Sequence, residues 1–256
     1  MLDNNIVLVK RDHTAIVTID RPPANAWDLV AVQQFQQAVD EVEKDRDLRV
    51  MVITGAGQKF FSAGFDVTDV CNADKISPIA RALWTRIDRF TKPTIAAING
   101  HAMGGGLELA LCCHFRIMAD NPSFRLGLTE LNLGIIPGWG GTQRLARVVG
   151  RAKALEMILF SKTVNPREAL EIGLVNRITD PERLMDEATR LAEKLAQRPP
   201  IAVHWVLKAM AAGEYEGLEK GLEVEAEGSL AVRNTIDKEE GFRAFSEKRK
   251  PIFIGK

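Results

Sequence analysis

The sequence predicts an α/β fold with a helical C-terminal region. In the first 120 residues, short apolar runs rich in β-branched residues alternate with helical segments and glycine turns. Beyond about residue 180, apolar residues recur at helical spacing instead. The chain has 256 residues, 46% of them hydrophobic and 27% charged, which is ordinary for a globular protein with a substantial core.

The N-terminal elements follow from local patterns. Two β-branched runs, separated by Arg-Asp-His-Thr, predict a hairpin with strands at 6–10 and 15–20. A Pro-rich break follows, and then Val32, Phe35, Val39 and Val42 form the apolar stripe of a helix over 29–44. Continuous apolar runs predict buried strands at 50–54, 94–98 and 115–119.

The later chain predicts mainly helices. Residues 181–197 place Leu184, Ala188, Leu191 and Leu195 on one face. Pro199-Pro200 interrupts the pattern, and Pro is tolerated where the next helix begins. Further helices are expected over 214–232 and 238–248. We therefore predict an α/β core over 1–199 and a helical region over 200–256.

Charge and cysteine content narrow the classes of function. Basic and acidic residues number 34 each, so the net charge gives no sign of a nucleic-acid partner. Cys71, Cys112 and Cys113 form no disulfide framework. Cys112 and Cys113 are adjacent in an apolar run, which predicts buried thiols in a reducing compartment. The N-terminus does not resemble a secretory signal, and no run of about 18 apolar residues could span a bilayer. We expect a cytoplasmic protein without a membrane partner.

The segment "GHAMGGGLELAL" at 100–111 contains three consecutive glycines, Gly104 to Gly106, between a strand and a helix that begins at about Gly105 or Gly106. Free amides at a helix start, with the helix dipole behind them, favour a negatively charged oxygen. Tight helix packing also explains such glycines. The G-x-G-x-x-G and P-loop patterns are absent, which disfavours a nucleotide site.

Two glutamates stand in apolar surroundings. Glu108 follows the three glycines, and Glu130 lies in "LGLTELNLGIIPGWGGTQR". Two converging carboxylates could handle one water molecule or one proton. Each could instead be a helix cap or one half of a buried ion pair.

A second glycine turn, "KFFSAGFD" at 59–66, could supply a further backbone donor and complete an oxyanion hole. Ser62 does not stand in a G-x-S-x-G motif, which disfavours a serine hydrolase. The four histidines show no metal spacing, and we expect them to be structural. No metal site is predicted.

Four segments together resemble the crotonase, or enoyl-CoA hydratase/isomerase, family. They are "FFSAGFD", "INGHAMGGGLELAL", "LTELNLGIIPGWGGTQRLARVVG" and the terminal "EGFRAFSEKRKPIF", in family order from about residue 6 to the C-terminus. The resemblance implies a crotonase-like spiral of repeated β-β-α units and a helical C-terminal region used in trimer contacts. It also implies an acyl-CoA thioester as substrate, a homotrimer or homohexamer, and no cofactor, because coenzyme A is part of the substrate.

The resemblance also implies roles for individual residues. The backbone amides of Phe65 and Gly105 would hold the thioester oxygen, and Glu108 and Glu130 match the paired glutamates of the hydratases. The positions that resemble the substrate-binding or coenzyme A-binding stretches of the family are Ala24, Ala63, Gly64, Asp66, Val67 and Lys248. Lys248 resembles a residue that reaches the coenzyme A phosphates from a neighbouring subunit.

The implied reaction is hydration of a 2-enoyl-CoA, reversible as dehydration of a 3-hydroxyacyl-CoA. A double-bond isomerase needs one acid/base group at the position of Glu130, and it stays an alternative. A non-catalytic acyl-CoA-binding or RNA-binding scaffold is the alternative from another class. His114, Thr129 and Trp139 depart from common family residues. Trp139 places a bulky ring beside the glutamate loop, which leaves the preferred acyl group open.

Overall fold

The computed structural model describes residues 5–256, and the following elements lie in that range. The strands are β1 (Ile6–Arg11), β2 (Thr14–Ile19), β3 (Val50–Gly55), β4 (Phe60–Ser62), β5 (Thr94–Ile98), β6 (His101–Met103), β7 (Phe115–Ala119), β8 (Leu126–Gly127) and β9 (Arg177–Thr179). The helices are α1 (Leu29–Lys44), α2 (Ala73–Asp88), α3 (Gly105–Cys112), α4 (Gly141–Val149), α5 (Arg151–Leu159), α6 (Pro166–Glu171), α7 (Leu184–Ala196), α8 (Pro200–Glu216), α9 (Leu218–Ala231) and α10 (Ile236–Ser246).

The strands form two sheets, and each repeating unit of the chain contributes one strand to each sheet. The larger sheet has the order β1-β2-β3-β5-β7-β9, and the smaller has the order β4-β6-β8. Of the pairs of named strands in residues 5–256, only the β1–β2 hairpin is antiparallel, and the others are parallel. Successive units therefore add one strand to each sheet and then a helix. The predicted spiral of β-β-α units is confirmed.

The first helix shows how local sequence produces an element and seats it on the core. Asp28 caps α1 by accepting a hydrogen bond from the amide of Ala31, so the helix begins at Leu29. The predicted stripe, which contains Val32, Phe35, Val39 and Val42, is fully buried. Phe35 of this stripe packs against Trp27 and Trp84, and burial of such apolar surface stabilises the fold.

The C-terminal helices differ in detail from the prediction. The expected helix over 214–232 is divided, because Gly217 has a φ of +100° and separates α8 from α9. Helix α7 begins at Leu184, after a short 3-10 turn over Pro181–Arg183, and α10 begins at Ile236 instead of 238. Leu191 and Leu195 are half-buried, whereas Ala192 and Ala196 are buried.

Candidate active site

The first glycine turn joins β6 to α3 and leaves an amide free at the helix start. Gly104 has φ +49° and ψ −125°, a conformation that favours glycine, and its amide donates to Gly127 at 2.9 Å. Helix α3 then begins at Gly105, whose amide has no carbonyl one turn earlier in the helix to bond to. All of α3 is buried, so its dipole acts with little solvent screening.

The second glycine turn is fixed by the loop that precedes α1. Trp27 donates to the Gly64 carbonyl at 2.8 Å and accepts from the Asp66 amide at 3.0 Å. Since groups alternate sides along an extended backbone, the Phe65 amide points away from Trp27. Ala63 donates to the carbonyl of Ala24 at 2.9 Å, which ties the same loop to the turn.

The two turns lie against each other. Gly64 has a φ of +87°, and a Cβ added there would lie 2.7 Å from the Gly105 nitrogen. Within residues 5–256, neither the Phe65 amide nor the Gly105 amide donates to another protein group. The structure thus brings two unused backbone donors into neighbouring turns, which is the arrangement that can bind an anionic oxygen.

Glu108 is 2% exposed, and one of its oxygens is held by the backbone of a distant loop. Its Oε1 accepts from the amides of Trp139 at 2.8 Å and Gly141 at 2.7 Å. Burial raises the pKa of Glu108, and the two amides counteract part of that rise. Because Gly141 begins α4, Glu108 does cap a helix, one of the two roles that the sequence left open.

Glu130 begins a short 3-10 helix, Glu130–Leu133, directly after β8. A Cβ on Gly104 would lie 2.9 Å from its Oε1, so the carboxyl group rests on the first glycine turn. Its Oε2 is buried and has no hydrogen-bond partner among the described residues. Burial raises the pKa of Glu130 to about 7, and the charge of Glu108 adds to the rise. A carboxyl group with this pKa can give or take a proton near neutral pH.

The remaining predicted positions fall into two places. Ala24, Ala63, Gly64 and Asp66 lie in the two hydrogen-bonded loops, and Val67 is an exposed neighbour of Asp66. Hydrogen bonds from Thr68 and Arg21 hold the pKa of Asp66 below its usual range. Lys248 lies elsewhere, exposed after α10 with a φ of +54°. Within residues 5–256, no hydrogen bond or ion pair joins Lys248 to the glycine turns.

A partly buried ion pair supports the loop that binds Glu108, and the sequence analysis did not predict it. Arg144 donates to Asp88 at 2.7 Å and to the Trp139 carbonyl at 2.8 Å. Tyr215, on α8, donates to the same carboxylate. The network therefore connects the C-terminal helices to the residue whose amide holds Glu108. An arginine in a glycine-flanked helix was the only signal in the sequence, and it does not identify the partner.

Two of the four histidines that were expected to be structural accept hydrogen bonds from backbone amides. His114 accepts from the Thr94 amide at 3.0 Å, and burial lowers its pKa to about 4. His101 accepts from the Arg125 amide at 3.0 Å. Across residues 5–256, no group of three potential ligands among His, Cys, Asp and Glu is placed to hold a metal ion. None of the helices described is both long and apolar enough to cross a membrane.

Comparison with known proteins decides the family. The family model described as enoyl-CoA hydratase/isomerase matches residues 10–256. The chain belongs to this family. A Bacillus subtilis relative named probable enoyl-CoA hydratase is 41% identical, over 98% of this chain and 99% of its own. A crotonyl-CoA hydratase of Syntrophomonas wolfei is 38% identical over the full length of both chains.

Solved structures of the family agree with the fold. The crystal structure of an enoyl-CoA hydratase from Bacillus anthracis has a TM-score of 0.94 at 37% identity, covering 98% of this chain and 100% of that one. A second crystal structure, of a Geobacillus kaustophilus protein with a similar name, also has a TM-score of 0.94, at 33% identity, covering 100% of this chain and 98% of that one. The crotonase-like fold predicted from the motifs is therefore confirmed.

Proposed function

We propose that this protein is an enoyl-CoA hydratase, a hydro-lyase that adds water across the 2,3 double bond of an enoyl-CoA thioester. The observation that carries the proposal is the placement of two carboxylates with raised pKa beside two unused backbone donors. The names of the full-length relatives support the same reaction class.

The backbone donors supply the electrophilic half of the reaction. The thioester oxygen accepts from the amides of Phe65 and Gly105, and these bonds strengthen as negative charge develops on that oxygen in the enolate. The α3 dipole, which begins at Gly105, favours the same charge. No cofactor is needed, because coenzyme A is part of the substrate.

The two glutamates divide the proton transfers. Glu108 keeps two amide donors, which favour its ionised form, so it takes a proton from water as the water oxygen bonds to the β-carbon. Glu130 has an unpartnered buried oxygen, which favours its protonated form, so it delivers a proton to the α-carbon. The reverse sequence dehydrates a 3-hydroxyacyl-CoA.

The coenzyme A portion would lie along the two loops that carry Ala24, Ala63, Gly64, Asp66 and Val67. Lys248 would reach the phosphates of coenzyme A bound to a neighbouring subunit, where a lysine acts as a point charge. This role requires assembly, and it explains why Lys248 is exposed and distant from the turns of its own chain.

We further propose a homotrimer or homohexamer assembled through the region 200–256, with 1–199 as the catalytic core, in the cytoplasm. Helices α8 and α9 border an apolar groove of about 420 Å³, and Met210, Leu218 and Leu222 beside it are exposed. Sedimentation that finds only a monomer at micromolar concentration would contradict this assembly and the role of Lys248.

The decisive experiment is steady-state hydration of crotonyl-CoA by the wild type, Glu108→Gln and Glu130→Gln. Loss of either acid/base group should lower kcat by about 10²–10⁴-fold while acyl-CoA binding persists. The matched control is Glu182→Gln, which changes an exposed glutamate far along the chain and should keep the wild-type rate. Near wild-type hydration by either site variant would refute the two-glutamate mechanism.

The same assay separates the alternatives. A 3-enoyl thioester converted to the 2-enoyl isomer, without net hydration, would identify an isomerase. Binding of acyl-CoA with no turnover of any thioester would favour a non-catalytic scaffold.

A further inference from the structure

The indole ring of Trp139 lies in an aromatic cluster beside the glycine turns. The residue is 4% exposed, and its ring meets Trp84 at 5.3 Å between centroids and Phe65 at 6.4 Å, both edge to face. Such pairs stabilise a ring beyond the burial of its area. Trp139 is therefore fixed between helix α2, which carries Trp84, and the second glycine turn.

The same ring rests on the first glycine turn. A Cβ added at Gly105 would overlap the six-membered part of the indole of Trp139. Trp84 donates from its ring nitrogen to the Gly105 carbonyl at 3.1 Å, so both indoles contact this one residue. The absence of a side chain at Gly105 is what leaves room for the ring.

The backbone of Trp139 leaves the ring little freedom to withdraw. Its amide is held by Glu108 and its carbonyl by Arg144, at 2.8 Å each. Arg81 also donates to the carbonyl of the preceding Gly138 at 3.1 Å. Because the backbone is held on both sides of the Trp139 α-carbon, the indole ring forms a fixed wall beside the glycine turns.

The position of this wall matters for the acyl group. Under the proposed function, on which this inference rests, the thioester oxygen lies on the Phe65 and Gly105 amides and the reacting carbons lie at Glu108 and Glu130. The acyl chain beyond the β-carbon must then continue into the space near these residues. The indole of Trp139 already fills the part of it between Phe65, Gly105 and Trp84.

We propose that Trp139, seated on Gly105 between Phe65 and Trp84, closes the acyl pocket and restricts the protein to 2-enoyl thioesters with short acyl chains. The ring determines specificity through its volume, whereas its backbone amide separately holds Glu108. Replacing the ring with a smaller side chain would leave an apolar cavity that a longer chain can fill, because such cavities accept apolar ligands.

The test compares Trp139→Phe, Trp139→Leu and Trp139→Ala with the wild type on four-carbon and eight-carbon 2-enoyl-CoA thioesters. The wild type should favour the four-carbon substrate in kcat/KM. The ratio of eight-carbon to four-carbon kcat/KM should rise as the side chain shrinks, by at least about tenfold for Ala. Trp205→Phe, on α8 and outside the cluster, is the matched control for Trp139→Phe and should leave the ratio unchanged.

A second readout keeps the inference separate from the proposed function. Calorimetric affinities for saturated butyryl-CoA and octanoyl-CoA report the pocket without requiring turnover, and their ratio should shift in the same order. If the wild type hydrates no thioester but the ratio shifts, the proposed hydration fails and the pocket assignment survives.

Two results would overturn the pocket assignment. The first is a wild type that accepts both chain lengths equally, as expected if the chain leaves past exposed Leu133, Ile135 and Ile136 instead. The second is a series of folded variants in which activity and affinity fall equally for both lengths, since that is the behaviour of a packing residue. If Trp139→Ala does not fold, Trp139→Leu and Trp139→Phe decide by the same criterion.

Discussion

Replacing Glu130 by glutamine should stabilise the protein in a manner that depends on pH. The carboxyl group is buried, one of its oxygens has no partner, and its pKa rises from 4.5 to about 7. Between these two pH values the folded protein binds a proton that the unfolded chain has lost. Stability of the wild type therefore falls as pH rises through this window and levels off above it. Glutamine carries no charge and removes this dependence.

The magnitude follows from the same shift. At about 1.36 kcal/mol for each pH unit, a rise from 4.5 to about 7 corresponds to about 3 kcal/mol. Glu130 is partly open to solvent, which screens the charge, so we expect about 1–2 kcal/mol. The difference in unfolding free energy between Glu130→Gln and wild type should grow by this amount from about pH 4.5 to about pH 8. Any pH-independent effect of the amide cancels in this comparison.

Thermal unfolding at a fixed protomer concentration measures the effect, because assembly makes Tm depend on concentration. For a chain of this size, about 1–2 kcal/mol corresponds to roughly 2–8 °C in Tm. Glu182→Gln is the control for the same substitution at an exposed position outside the site. If Glu130→Gln differed from wild type by the same amount at both pH values, Glu130 would not be an unpartnered buried acid in solution.

Three further substitutions test the surroundings of the site. Gly105→Val should reduce hydration by at least about 10²-fold, because the new side chain overlaps Trp139 and displaces the thioester oxygen from its donors. A variant that is folded by circular dichroism and remains active would refute the anion site. Phe65→Ala should keep most of the activity in the same assay, since the proposed donor is the backbone amide; loss comparable to Gly105→Val would contradict this. Arg144→Met should destabilise the fold by about 2–3 kcal/mol in denaturant unfolding, because Asp88 loses its cationic partner and keeps only the hydroxyl of Tyr215, and a loss below about 1 kcal/mol would show that the pair contributes little.

The sequence predicted the elements whose signals are local. The β1–β2 hairpin, α1 and the start of α3 follow from runs of β-branched residues, an apolar stripe and a glycine cluster, and all three are found. The helix expected over 214–232 is found as α9, but its expected start was wrong, because residues 214–216 end α8 and Gly217, with a φ of +100°, separates the two helices.

The site could be predicted only in part. Glycines and isolated glutamates are visible in the sequence, but their partners are not. Glu108 is held by amides of Trp139 and Gly141, about thirty residues later, and Arg144 meets Asp88 on another helix. These contacts depend on how successive β-β-α units stack, and no local pattern encodes that stacking. The unpartnered oxygen of Glu130 follows from the same tertiary arrangement.

The contact between the two glycine turns has a consequence for how such a protein can change over evolutionary time. The donors proposed at Phe65 and Gly105 belong to the main chain, so under the proposed function a new side chain at position 65 would reshape the pocket and leave the donor in place. At Gly64 and Gly105 almost any substitution would separate the turns or overlap a neighbouring ring. Under the proposed function, substitutions that change the preferred acyl group are therefore easier to accommodate than substitutions that move the charge-stabilising donors.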